Sequence, residues 1–124
     1  MRPSSILAAS LLLMASPAAA TGGFDCRTTD GSNLGMSGTV GHVVGAPLVA
    51  ARLDLGNRSL ATTDEPPAIV IARSWLDEHE MRVDLADPQL ERFEAKLRVR
   101  TTREGAVGTL ERDGRSHPVT CETE

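Results

Sequence analysis

The sequence predicts an all-β domain: a single small antiparallel meander of seven to eight short strands, closed as a barrel or folded as a sandwich, with one disulfide. Three observations predict it. Residues 93–101, FEAKLRVRT, alternate apolar and charged side chains with period two, the pattern of a half-buried strand. Asp113-Gly114 separates two further runs and is the strongest short hairpin signal, because both central residues of a type I′ turn take positive φ. No segment of a dozen residues shows a helical period, while turn-forming residues recur along the whole chain.

Ahead of the domain the chain opens MRPSSILAASLLLMASPAAA, with Arg2 before the apolar run Ile6–Ala15 and small residues at 18–20. Residues 1–20 are expected to be a secretory signal. The apolar run is shorter than the roughly 20 residues that a helical membrane span needs. Residues 21–124 then form a single β domain of 104 residues, exported to the periplasm or the cell exterior, with Thr21 first. No lipid anchor is expected, because Cys26 lies beyond Phe24-Asp25 rather than at the cleavage point.

The elements follow in order. Phe24, Cys26 and Thr28 share one face of a first strand. Residues 30–47, DGSNLGMSGTVGHVVGAP, hold five glycines and read as a connection with a glycine-kinked strand inside it. Leu48–Leu55 is a strand with Val49, Ala51, Leu53 and Leu55 on one side, returning through Gly56-Asn57 into residues 58–63. Ala68–Leu76, after the breaker Pro66-Pro67, is rich in β-branched residues and reads as another.

The second half supports a register. If paired positions sum to 180, Leu85 faces Ala95 and Val83 faces Leu97 inside, while Asp84 meets Lys96 and Glu80 meets Arg100 outside. A slip of two would oppose Asp84 to Glu94 and Arg82 to Lys96, and like charges directly opposite destabilise a sheet. The preferred register leaves Arg82 against Arg98. The turn 102–105 then sets Val99 against Gly108, Leu97 against Leu110 and Lys96 against Glu111. The Asp113-Gly114 hairpin sets Leu110 against His117, Gly108 against Val119 and Ala106 against Cys121. Pro118 falls opposite Thr109 at a non-hydrogen-bonded position, so its missing N–H faces away from that partner and residues 115–118 should form an open or bulged edge.

Cys26 and Cys121 are the only cysteines, and export favours a disulfide between them. The absence of a CxxC motif argues for a structural bridge rather than a redox pair.

Composition narrows function by exclusion. Removal of residues 1–20 takes away one arginine and no acid, moving the formal charge from −4 to −5, which disfavours nucleic acid and anionic membranes as partners. With two Phe, one Trp and no Tyr, stacking platforms for bases or sugars are scarce. The row Lys96, Arg98, Arg100 and Arg103 reads as a mixed, solvated face. No catalytic motif is present: Ser37 lacks G-x-S-x-G spacing and His79-Glu80 continues into Met81-Arg82 rather than toward a second histidine. His117 reads as a partly buried structural residue.

Two segments remain as candidate sites. The apolar residues of the glycine-rich run, Leu34, Met36, Val40, Val43 and Val44, with His42, could form an adaptable loop for a ligand or partner. Asp77, His79 and Glu80 are weak candidate metal ligands, since consecutive turn residues rarely converge on one ion. No cofactor is implied. The function expected from these readings is a non-catalytic, monomeric binding module for a protein or small apolar ligand. The alternative is an inhibitor of an extracytoplasmic hydrolase, presenting residues 57–67 or 30–47.

Overall fold

The computed structural model describes residues 22–41 and 48–123. The expected signal at 1–20 and the loop candidates His42, Val43 and Val44 lie outside the described residues. Among the described residues nine antiparallel strands, one more than the upper count from sequence, form one nearly closed, barrel-shaped sheet. They are β1 (Gly22–Thr28), β2 (Gly35–Val40), β3 (Leu48–Asp54), β4 (Ser59–Ala61), β5 (Val70–Leu76), β6 (Glu80–Ala86), β7 (Phe93–Thr102), β8 (Gly105–Arg112) and β9 (Arg115–Thr123). No helix occurs among the described residues, so none is long and apolar enough to cross a membrane.

The spatial order is β4-β3-β2-β1-β9-β8-β7-β6-β5. Two meanders, β1–β4 and β5–β9, therefore diverge from a seam where the first strand pairs with the last. Their far ends approach each other through residues 62–69. There the Ala68 amide donates to the Ala61 carbonyl at 3.2 Å, and Ile69 is fully buried. Barrel closure leaves a core whose largest fully buried side chains include Met36, Leu53, Ile69, Leu85, Leu97 and Leu110.

The registers of β6–β7, β7–β8 and β8–β9 are those expected from charge and turn geometry: Val83 faces Leu97, Leu97 faces Leu110, Gly108 faces Val119 and Ala106 faces Cys121. Three bulges alter the phase, one at the Ala86 end of β6–β7 and one each in β2–β3 and β5–β6, each placing one extra residue on one strand. Thr39 pairs with Ala50 and Val40 with Leu48, so Val49 is extra and 54 % exposed rather than in line with Ala51 and Leu53. Leu85 pairs with Ala95 and Ala86 with Phe93, so Glu94 is extra and Phe93 is turned outward, 45 % exposed. Ile71 pairs with Leu85 and Arg73 with Asp84, so Ala72 is extra, and the shift sends Arg73 and Trp75 to the outside.

The glycine-rich run holds a strand as well as a connection, because Gly38 admits its neighbours. Gly38 pairs with Phe24, and a Cβ there would collide with the Phe24 ring and with Leu48 Cδ1. Absence of a side chain at 38 thus lets the Phe24 ring, 4 % exposed, lie across β2. Gly108 serves the β7–β8 pair in the same way, since a Cβ there would meet the Arg98 carbonyl.

Pro118 behaves partly as expected. Its hairpin partner is Thr109, and β1 pairs with β9 only from Val119 onward. At the boundary the Thr29 amide donates to the Pro118 carbonyl at 2.9 Å, and proline has no N–H to return. Residues 115–117 thus lie beyond the β1 pairing, but the rest of β9 is central rather than an edge, because the sheet recruits β1 there.

Candidate functional site

The inward-facing rows of the barrel end together at one mouth. Leu76 pairs with Met81 and Met81 with Val99, aligning three apolar side chains across β5, β6 and β7. Phe24 from β1, Val40 at the end of β2 and Ala106 from β8 complete the wall of a recess of about 380 Å³. Its rim is polar, with Asp77, Glu80, Thr101 and Thr123. A larger surface depression of about 820 Å³ adjoins it through Gly22, Gly23, Phe24 and Thr123. That depression is otherwise walled by Asp25, Ser37, Gly38, Thr39 and Glu122, so its lining is glycine and polar residues rather than apolar side chains.

The turn between β5 and β6 fixes the rim. Asp77 Oδ1 accepts the His79 and Glu80 amides at 2.7 and 2.8 Å, and Oδ2 accepts the Trp75 indole N–H at 2.9 Å. The Glu80 and His79 amides, with the indole, hold the Asp77 carboxyl below its ordinary value. The Thr101 amide donates to the His79 carbonyl at 2.9 Å, tying this turn to β7.

These contacts locate the weak metal candidates. Asp77 spends both oxygens on the turn, Glu80 accepts from Arg82 at 2.7 Å, and His79 projects into solvent with its side chain 83 % exposed. Among the described residues no group of three or more His, Cys, Asp or Glu side chains is placed to hold a metal ion. Of the loop candidates, Val40 lines the mouth recess, Leu34 packs against the core, and Met36 is a core residue, 1 % exposed.

Elsewhere, His117 is tied into the framework. Its Nδ1 lies 2.8 Å from Asp30 Oδ2, joining the last hairpin to the loop after β1, and its side chain is 15 % exposed. Hydrogen bonds from Ser32, followed by that from His117, lower the Asp30 pKa to about 2.

A second cluster occupies the outer face of β5–β7. Sequence pairing matched Asp84 to Lys96, and the two are indeed opposite, but the Asp84 carboxylate turns to arginines instead. Oδ2 accepts from Arg73 Nε at 3.1 Å and Nη2 at 3.0 Å, and Oδ1 accepts from Arg98 Nη1 at 2.8 Å. The Asp84 side chain is only 4 % exposed beneath them. The Arg82–Arg98 opposition is relieved sideways: Arg98 goes to Asp84, while Arg82 pairs with Glu80 and lies 5.9 Å from the Trp75 ring. Lys96 places its ammonium 4.4 Å above the Phe93 ring, and Arg73 lies 5.7 Å from the same ring.

Sequence reasoning missed both sites for identifiable reasons. Leu76, Met81 and Val99 could have been aligned from the register, because residues flanking a hairpin turn share one rim. The outer cluster could not, because it depends on the bulges at Ala72 and Glu94.

No protein family, no curated protein and no solved structure matches the chain in comparisons with known proteins.

Proposed function

We propose that the chain is an exported, non-catalytic binding module whose ligand is a small, uncharged apolar molecule held at the barrel mouth. The observation that carries this reading is the recess of about 380 Å³ walled by Phe24, Val40, Leu76, Met81, Val99 and Ala106. Ligand sites are typically concave, about 300–1,000 Å³, largely apolar, and rimmed by a few polar groups. The rim carboxylates Asp77 and Glu80 disfavour an anionic head, so a neutral ligand fits better than a fatty acid. Each buried methylene contributes about 0.8 kcal/mol, which after association costs puts dissociation constants at roughly micromolar to millimolar.

Export is supported by the apolar opening of the chain and by the Cys26–Cys121 bridge, which suits an oxidising compartment. The test is fluorescence titration of the domain with N-phenylnaphthylamine, a neutral probe that brightens in apolar surroundings. Saturable brightening is expected, with loss in Ala106→Phe, a substitution that fills the recess; brightening unchanged by that substitution would remove the reading.

A second reading has its own observation. Residues 63–67 are exposed yet held in place at their base: Asp64 Oδ2 accepts the Ala61 amide at 3.0 Å, and Thr62 Oγ1 accepts the Ala51 amide at 3.1 Å. A pre-organised, projecting loop is what an inhibitor of an extracytoplasmic hydrolase presents. A panel of such hydrolases, assayed with the domain in excess, tests this; full activity of all would set it aside.

A further inference from the structure

The sole tryptophan and one of the two phenylalanines stand on the outer face of β5–β7, Trp75 53 % and Phe93 45 % exposed. Four cations surround them: Arg73, Arg82, Lys96 and Arg98. Among the described residues Asp84 and Glu80 pair with Arg73, Arg98 and Arg82, Lys96 has Glu111 opposite it on β8, and Arg100, opposite Glu80, adds a further cation. The patch is thus locally cationic on a chain whose formal charge is −4.

Asp84 organises the cluster. One nearly buried carboxylate holds Arg73 and Arg98 side by side, so the repulsion between two guanidiniums is offset before any partner arrives. Arg73 uses Nε and Nη2 on Asp84 and keeps its side chain 69 % exposed; Arg98 uses Nη1 and remains 42 % exposed. Each guanidinium carries five N–H donors, of which Arg73 uses two on Asp84 and Arg98 one on Asp84 and one on the Leu97 carbonyl, so three on each remain for a partner. Trp and Arg are also the side chains that most often dominate binding energy at protein interfaces.

The geometry points to this face as a docking site for a short acidic segment of a partner protein. Trp75, Arg82 and Arg98 form one cross-strand row, and Arg73, Asp84 and Lys96 the next, with Phe93 one row beyond. At about 3.3 Å per residue along a strand and about 4.8 Å between strands, the two aromatics are offset by roughly 13 Å along the strands and roughly 10 Å across them, the reach of a few extended residues. Carboxylates bound the patch at the Trp75 end, Asp77 and Glu80, whereas beside Phe93 the one carboxylate, Glu94, is already held by Arg92 and Arg112. A long polyanion would run off the cations into the acids at the Trp75 end, whereas a short acidic segment stays within them. The site is independent of the mouth recess, whose lining shares none of these cations or exposed rings.

Because Trp75 is the only tryptophan, its emission reads occupancy of the patch directly. Titration of the domain with hexaglutamate at low salt is expected to give a saturable change in that emission, which weakens as salt screens exposed charges over about 10 Å at 0.1 M. Arg82→Glu, which leaves the Asp84 cluster intact, is expected to weaken the affinity about tenfold with an unchanged melting temperature. Uncharged hexaglutamine should give no saturable response. No saturable change with hexaglutamate, an equal response to hexaglutamine, or tighter binding of oligogalacturonate or phosphatidylglycerol vesicles would overturn the assignment.

Discussion

Cys26 of β1 stands directly opposite Cys121 of β9, with Cα atoms 4.0 Å apart and the two sulfurs bonded. The bridge spans a sequence separation of 95 residues at the one seam where both meanders meet. Cross-linking a loop of that length removes unfolded-state entropy equivalent to about 4 to 5 kcal/mol. Cys26→Ala with Cys121→Ala is therefore expected to lower unfolding free energy by about 4 kcal/mol, a large share of a typical domain's roughly 5 to 15 kcal/mol. Denaturant titrations of both forms check the value, with a steeper slope for the form without the bridge because its unfolded chain is less compact.

Gly38 and Phe24 make the complementary prediction. A side chain at 38 would have to displace the Phe24 ring from across β2. Overpacked cores lose about 1 to 3 kcal/mol, so Gly38→Ala should destabilise by that amount. The double variant Gly38→Ala with Phe24→Leu should cost less than the sum of its parts, which a double-mutant cycle by denaturant titration measures.

The outer cluster predicts an asymmetry. Replacing both Arg73 and Arg98 by Gln leaves the Asp84 carboxylate, 4 % exposed, without its cations and is expected to destabilise by about 3 kcal/mol. Adding Asp84→Asn to that pair should restore part of the loss, because a neutral amide costs less to bury than an unpaired charge. Thermal or denaturant unfolding of the three forms gives the comparison.

Acid should unfold the protein in a defined window. The Asp30 pKa is lowered to about 2 from an ordinary 3.8, chiefly by Ser32 and then His117. Asp54 is lowered by the Arg27 guanidinium, which donates to it at 2.8 Å, and Asp87 by the Arg92 amide. These groups bind protons more readily in the unfolded chain, so their contribution is full above about pH 4 and fades as pH falls toward 2. Denaturant midpoints across that range should decline, and Asp30→Asn should flatten the decline.

Much of this fold was legible because local chemistry specified it. The Asp113-Gly114 turn, with φ of 53° and 76°, fixes the β8–β9 register, and charge opposition between Asp84 and Lys96 positions selects that of β6–β7. What stayed hidden lies at the bulges. Alternation reads Phe93 and Val49 as inward, but an extra residue at Glu94 and at Val49 itself reverses the phase, and period two carries no trace of an insertion. The aromatic face followed from that reversal, so scarce aromatics read as absent platforms when two of the three gather on one surface. The mouth was half legible: Val40 was among the loop candidates, but its partners Leu76, Met81 and Val99 come from the other meander. Only barrel closure brings them together.

The most direct test of the mouth as a ligand site is a methyl-resolved NMR titration of the domain with decanol. Saturable shifts confined to Val40, Leu76, Met81, Val99 and Ala106, which line the recess, are expected, with Leu53 and Val49 unmoved. Shifts centred on other methyl groups, or none at saturating decanol, would contradict it.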